Sequence, residues 1–207
     1  MGKTCYTLNN NNYNNSKFGE VANGLYEEKK SKFYSYIFNI SNESEAINYI
    51  NTIKENNKDA RHVVYIYSIK NGNSVNIRFS DDGEPQGTGT RAIYDTLEKE
   101  YLTNLCIVIV RYFGGILLGA GPLSRAYLKA YKEAEQICDT EPIYNYINFD
   151  FETSYSNFNN ISNILNNYIK SSQITVLNKE FNDIISMSLS IREDIYKEFL
   201  EKINTYI

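Results

Sequence analysis

An uninterrupted apolar run at residues 105–110 most constrains how this chain can fold. A strand with one face in water alternates apolar and polar residues, whereas a continuous run rich in β-branched residues is typical of a strand covered on both faces. The run is far shorter than the ~20 apolar residues that a membrane span needs. Glycines follow it, and a helix is predicted from Pro122, whose missing N–H suits a first helical turn. We therefore expect a buried central strand in a layered fold of helices and strands.

Periodicity predicts the elements around this strand. Strands are expected at 33–40, 63–69 and 75–79, and helices at 42–56, at 91–100 and from 122 onward. A turn at Asn71-Gly72 joins the second and third strands. The apolar residues of the last helix recur at helical spacing: Leu123, Ala126, Tyr127, Ala130, Ala134 and Ile137.

The chain is predicted to comprise a tail and two α+β domains. Residues 1–17 are polar and rich in asparagine, and we expect them to be disordered because they bury too little apolar surface to offset the entropy of ordering. Residues 18–140 are expected to form the first domain. Residues 141–207 are predicted to form a compact βαββα domain, with strands at 143–153, 173–177 and 181–191. This is the order of a ferredoxin-like sandwich short of one edge strand.

Charge, cysteine and histidine content exclude several kinds of site. The net charge of −4 provides no bulk positive field for nucleic acid, although a local basic face stays open. The three cysteines have no paired spacing and indicate neither a disulfide framework nor a zinc site. A single histidine excludes metal sites that need two imidazoles. The sequence does not open with a secretory signal, so we expect a cytoplasmic protein with no membrane partner.

Two motif segments stand out, each after a predicted strand and before a predicted helix. The acidic segment reads Arg78-Phe79-Ser80-Asp81-Asp82-Gly83-Glu84-Pro85-Gln86-Gly87-Thr88. The glycine segment reads Arg111-Tyr112-Phe113-Gly114-Gly115-Ile116-Leu117-Leu118-Gly119. In open α/β arrangements ligands bind in the crevice at strand ends, so both segments are candidate sites.

The acidic segment has two interpretations. Asp81, Asp82 and Glu84, with the neighbouring Ser80, could bind a ligand through Mg²⁺, because hard cations take oxygen ligands. Alternatively the segment is a turn in which Asp caps backbone N–H groups and Gly83 adopts a positive φ, and we favour this reading.

The glycine segment also has two interpretations. Gly114, Gly115, Gly119 and Gly121 precede a helix N-terminus, whose free N–H groups and dipole favour a phosphate. No Gly-Lys-Ser/Thr follows, so this is not a Walker A loop. Tight packing of strand and helix is the other reason for glycine here.

Basic residues and the histidine complete the candidate site. Arg111, Arg125, Arg91 and Lys32 could form a local patch for phosphate or RNA, although the acidic segment could equally pair with these arginines inside the protein. On the first view, Arg111→Ala should weaken partner binding more than it lowers the melting temperature. His62 could be a general base, but a hydrogen-bonding structural histidine is favoured.

These motifs resemble the family of the bacterial YigZ and eukaryotic IMPACT proteins. The matching residues, in family order and spacing, are Lys30-Ser31-Lys32-Phe33, Ala60-Arg61-His62, Ser80-Asp81-Asp82-Gly83-Glu84-Pro85, Arg111-Tyr112-Phe113-Gly114-Gly115, Leu118-Gly119-Ala120-Gly121 and Arg125-Ala126-Tyr127. The resemblance implies a first domain shaped like the second domain of ribosomal small-subunit protein five, and a second domain like those of elongation factor G. It also implies translational control, since eukaryotic members compete for the activator of the kinase that senses amino-acid starvation.

Three functions follow as hypotheses. The leading one is a non-catalytic, translation-associated regulator that needs no cofactor and binds the ribosome, a ribosome-associated protein or RNA. The alternative is an enzyme acting on a phosphorylated small molecule, with the phosphate at the glycine segment and Mg²⁺ on the acidic residues. The third is a protein-interaction module without nucleic-acid contact.

Overall fold

The chain forms two compact units, Met1–Ile143 and Tyr144–Ile207. The computed structural model describes residues 4–10 and 13–207. Both units combine helices with antiparallel sheets, so the predicted two-domain α+β fold class is confirmed. The first unit ends close to the predicted boundary at residue 140.

In the first unit, a five-stranded antiparallel sheet carries the two motif segments. Its strands lie in the order β2-β3-β6-β4-β5. The described elements are β1 (Cys5–Asn9), β2 (Ala22–Glu28), β3 (Ser31–Asn39), α1 (Glu43–Asn56), β4 (His62–Asn71), β5 (Ser74–Ser80), α2 (Arg91–Glu100), β6 (Leu105–Tyr112), α3 (Ala120–Glu135) and β7 (Asp139–Ile143).

The central strand β6 is buried on both faces, as its apolar run predicts. Its odd-numbered side chains Leu105, Ile107 and Ile109 enter the core formed with α2 and α3. The alternate side chains Cys106, Val108 and Val110 enter a second core formed with α1. Because side chains alternate across a strand, one continuous apolar run supplies both cores.

The helix ends follow local chemistry. The Asn42 side chain accepts a hydrogen bond from the Glu45 N–H and caps α1. α3 begins at Ala120, earlier than the predicted Pro122, because Gly119 adopts φ 80° and its carbonyl accepts from the Leu123 N–H to close the first turn. α3 also ends before Ile137, which is exposed rather than part of the buried stripe.

The prediction of a disordered tail is wrong for Cys5–Asn9. These residues form β1, which pairs antiparallel with β7, and Leu8 is only 2 % exposed. One buried leucine and a backbone ladder to a distant strand order this segment, and neither is visible in local composition. Of the predicted tail, residues 1–3, 11 and 12 lie outside the described part.

The second unit has the predicted βαββα order. Its elements are β8 (Tyr146–Thr153), α4 (Tyr155–Lys170), β9 (Ile174–Phe181), β10 (Ile185–Arg192), one 3₁₀ turn (Glu193–Ile195) and α5 (Tyr196–Ile203). The antiparallel sheet order is β8-β10-β9, that of a ferredoxin-like sandwich without its fourth strand. The predicted strand 143–153 is in fact two strands, because β7 ends at Ile143 and β8 begins at Tyr146.

Candidate functional site

Asp81 organises the loop between β5 and α2. Its carboxylate accepts hydrogen bonds from the N–H groups of Gly87 (2.6 Å), Gly89 (3.0 Å) and Thr90 (3.0 Å), and from the Thr90 hydroxyl (3.0 Å). Thr90 precedes α2 but makes no side-chain cap bond of its own. Asp81 therefore accepts hydrogen bonds from the unpaired N–H groups of the loop and of the start of α2. This is the turn interpretation of the acidic segment.

Asp82 ties the same loop to β4. Its carboxylate accepts from the Val63 N–H at 2.7 Å and lies 3.2 Å from Lys54 Nζ. Its carbonyl oxygen is 2.8 Å from His62 Nδ1, and its N–H donates to Ser80 Oγ at 3.2 Å. His62 and Ser80 are thus both in hydrogen-bond contact with the backbone of Asp82.

Glu84, Arg111, Tyr127 and His62 form a buried group, here called the Glu84 cluster. Arg111 Nη1 and the Tyr127 hydroxyl both donate to Glu84 Oε1, at 2.5 and 2.7 Å. His62 Nε2 lies 3.7 Å from Glu84 Oε2. The register of the sheet brings the cluster together, because His62 on β4 sits opposite Arg111 on β6.

The Glu84 cluster is closed to solvent. Glu84 is 9 % exposed and Arg111 is 5 % exposed, and the guanidinium lies over the rings of Phe33 and Phe113 at 5.4 and 5.6 Å. Burial, together with the charge of Glu84 and its hydrogen bond, raises the pKa of the Tyr127 phenol far above its ordinary value, so Tyr127 stays a donor. Arg111 is therefore a buried partner of Glu84, which is the internal pairing that the sequence left open as an alternative to a ligand.

The predicted basic patch does not form as one surface. Arg111 is buried, and Arg91 pairs with Asp95 along α2 at 3.0 Å. Lys32 is half-exposed and pairs with Glu27 at 3.6 Å. Arg125 is exposed on α3 beside Gly121, where a Cβ would lie 3.6 Å from its Nη1.

Gly114 is required by close packing against the turn between β2 and β3. A Cβ at this position would lie 2.1 Å from the carbonyl carbon of Lys30, and the Gly114 N–H donates to Ser31 Oγ at 3.1 Å. Gly115 and Gly119 instead adopt φ 85° and 80° with open space around them. The packing interpretation thus holds for Gly114, while residues 115–117 form an exposed loop that ends at the buried Leu118.

The turn that Gly114 contacts has an unusual backbone. Lys29 and Lys30 adopt φ 45° and 64°, in a position where two-residue hairpin turns favour Asn-Gly. Both lysines are exposed, and neither forms an ion pair with any residue in the described ranges. Non-glycine residues in this conformation are strained, and such strain concentrates at functional sites.

α3 brings Arg125 to the same end of the sheet. The helix runs along β2, since a Cβ on Gly24 would meet Ala134 and Lys129 Nζ donates to the Tyr26 hydroxyl at 3.0 Å. Arg125 is four residues before Lys129, one helical turn nearer to the β2–β3 turn at Lys29 and Lys30.

In the loop between β6 and α3, Ile116 and Leu117 are 45 % and 84 % exposed. We call Lys29, Lys30, Ile116, Leu117 and Arg125 the turn–loop surface. Of these five residues sequence reasoning proposed only Arg125 as a site residue. It missed the two lysines and the two apolar residues, because nothing local distinguishes an exposed leucine from a core leucine.

The acidic residues do not converge on one point. Each of Asp81, Asp82 and Glu84 is engaged by a different set of N–H, O–H or cationic donors. Within the ranges that the structure describes, no group of three or more His, Cys, Asp or Glu residues has the arrangement of a metal site. Over the same residues, no helix is long and apolar enough to cross a membrane.

Fold and site together define a class: an α+β domain with a buried ion-pair cluster built by its motif segments and an exposed cationic turn, followed in sequence by a ferredoxin-like unit. The family model described as the Impact N-terminal domain matches residues 29–135, which include both motif segments. The chain belongs to the IMPACT family, as the motifs predict.

Curated relatives agree with this assignment. The chain is 30 % identical over 174 residues to an IMPACT family member of Haemophilus influenzae, an alignment that covers 84 % of this chain and 82 % of the relative. It is 40 % identical over 105 residues to the IMPACT family member YvyE of Bacillus subtilis, covering 51 % of this chain and 48 % of that protein. A solved structure described as that of a hypothetical protein superposes with a TM-score of 0.65 at 22 % identity, covering 98 % of this chain and 92 % of its own, and shares the fold.

Proposed function

We propose that this protein is a non-catalytic, translation-associated regulator that binds the ribosome, through a ribosome-associated protein or RNA, with its turn–loop surface. One observation carries the proposal. The carboxylates of the acidic segment and the Arg111 guanidinium are engaged by partners within the protein, whereas Lys29, Lys30 and Arg125 face outward without ion-pair partners among the described residues. Membership of the IMPACT family supports the link to translation.

The surface suits a partner that is both acidic and apolar. Three cations in a protein of net charge −4 make a local positive region rather than a bulk field. Leu117 is 84 % exposed and adds a large apolar side chain to this surface. Phosphates or carboxylates would meet the cations, and an apolar contact would displace water from Leu117.

The second candidate function, an enzyme acting on a phosphorylated small molecule, has less support. Its Mg²⁺ would need the carboxylates of Asp81, Asp82 and Glu84, which already accept hydrogen bonds or pair with cations. A rise in the melting temperature of the protein on addition of a nucleotide and Mg²⁺ would favour this enzyme function over the regulator.

Co-sedimentation with ribosomes tests the proposal. We expect wild-type protein to pellet at about 50 mM salt and to be released at about 200 mM, because phosphate contacts weaken steeply with salt. Lys29→Asn/Lys30→Gly removes two charges and places the preferred Asn-Gly pair in the turn, so binding should fall with no loss of stability. Leu117→Ser should weaken binding and leave its salt dependence in place.

The matched control is Lys170→Asn/Lys197→Asn, which removes two exposed lysines from the second unit. It should pellet like the wild type. Equal loss of binding in this control would show that net charge, not the turn–loop surface, drives sedimentation. Treating the ribosomes with nuclease separates an RNA partner from a protein partner.

A further inference from the structure

β5 is an open edge of the five-stranded sheet. It pairs with β4 on one side, and no strand within the described residues continues the sheet on the other. Edge strands are usually guarded by charged side chains, bulges or covering elements, because their unpaired backbone groups invite another strand.

The backbone groups that face this open side can be identified. Asn71 and Ser74 flank the two-residue turn and form a hydrogen-bonded pair, so hydrogen-bonded and non-hydrogen-bonded pairs alternate from there. Val75, Ile77 and Phe79 therefore direct their N–H and C=O groups away from β4. The Lys70 N–H, opposite Val75, supports this register because it donates to Asn104 Oδ1 at 2.8 Å and not to β5.

Two of these three side chains are poorly covered, and Ile77 is partly buried. Val75 and Phe79 are 41 % and 54 % exposed, and with Ile77 they line an apolar groove of about 660 Å³ beside α2. Tyr94 and Leu97 of α2 form the opposite wall. The open edge of β5 thus combines exposed apolar side chains with backbone N–H and C=O groups that do not pair with β4.

β5 is less guarded than the other edges of the two larger sheets. It carries one charged residue, Arg78, which points to the face opposite Val75 and Ile77. Each of the strands β2, β8 and β9 carries two acidic or basic residues, and the ladder beside β9 contains a bulge.

We propose that β5 pairs antiparallel with β5 of a second copy of this chain, joining two five-stranded sheets into one. The occupant follows from self-complementarity about a two-fold axis at Ile77. In that register Ile77 faces its own copy, and each Val75 faces Phe79 of the second copy, all as hydrogen-bonded pairs. On the other face each Arg78 meets Asn76 of the second copy, so no like charges are opposed.

Sedimentation velocity of the full chain tests the proposal. Across about 1–200 µM, the weight-average mass should rise from that of one chain toward that of two, with a Kd on the order of 10 µM for an interface of this kind. Val75→Lys/Phe79→Lys opposes lysines at both ends of the ladder and should remain monomeric throughout. Val75→Lys/Phe79→Glu opposes unlike charges in the same register and should recover the dimer.

The rescue by the Lys/Glu variant distinguishes this register from any other association. A wild-type protein that stays monomeric at the highest concentration overturns the proposal, as does a Lys/Lys variant that still dimerises or a folded Lys/Glu variant that does not. Val75→Pro removes one outward N–H without touching the ladder to β4, and gives an independent test if the charged variants lose their circular dichroism signal. Val176→Lys on the edge strand β9 is the matched control and should dimerise like the wild type.

Discussion

Replacing Glu84 with glutamine is expected to destabilise the first unit by about 3–5 kcal/mol, because it leaves Arg111 as an uncompensated buried cation. The exposed fractions of the two side chains are 4 % and 6 %, so water cannot solvate the guanidinium in place of the carboxylate. Arg111 Nε already lacks an acceptor among the described residues, which leaves the ion pair as the main stabilising contact of this charge. Tyr127→Phe should cost less, about 1.5–3 kcal/mol, since it removes one hydrogen bond to a charged acceptor.

The assay is urea unfolding followed by far-ultraviolet circular dichroism, with Arg111→Met and the double variant completing a cycle. The double variant should lose much less than the sum of the single losses, because it buries no unpaired charge. Glu198→Gln breaks the exposed pair with Lys202 in the second unit and should leave the midpoint unchanged.

A loss below about 1 kcal/mol for Glu84→Gln, or additive single losses, would refute this reasoning. In the same experiment, Arg111→Ala distinguishes the prediction from the structure from the expectation based on the sequence. The structure predicts a large fall in stability for this variant, whereas the sequence alone suggested a mainly functional effect.

Three further predictions concern the same unit. Asp81→Ala should lower stability by about 2 kcal/mol in urea unfolding, and Asp81→Asn by less, because an amide oxygen still accepts at the start of α2. Deleting residues 1–9 should lower the melting temperature by at least about 4 °C, since it removes β1 and Leu8; a disordered tail would give no change. Burial and the hydrogen bond to Glu43 raise the pKa of Tyr67 from 10.0 to about 12. The protonated phenol therefore contributes fully to the free energy of unfolding below pH 10, and this contribution is lost as the pH rises toward 12. In Tyr67→Phe the free energy of unfolding should fall less steeply over that pH range.

Patterns within a single element were sufficient for much of the fold. The apolar run of β6, the helical stripe of α3 and the alternation of Ile185, Met187, Leu189 and Ile191 on β10 each predict an element and its buried face. Asp81 was also predictable as a capping residue, because aspartate before glycine commonly accepts backbone N–H groups within a few residues. These features are local: the residues that determine them are neighbours in the chain.

Only the tertiary structure decided which residues pair with partners far away in the sequence. From composition, residues 5–9 were expected to belong to a disordered polar tail, yet backbone pairing with β7 orders them. Arg111 could equally have faced a ligand or an acid, and the register of β4 and β6 with the loop after β5 gives it Glu84. Lys29 and Lys30 stay without such a partner among the described residues. Local sequence encodes which face of an element is apolar, but the energy of a charge depends on which distant group folding brings within reach, and that is a property of the whole fold.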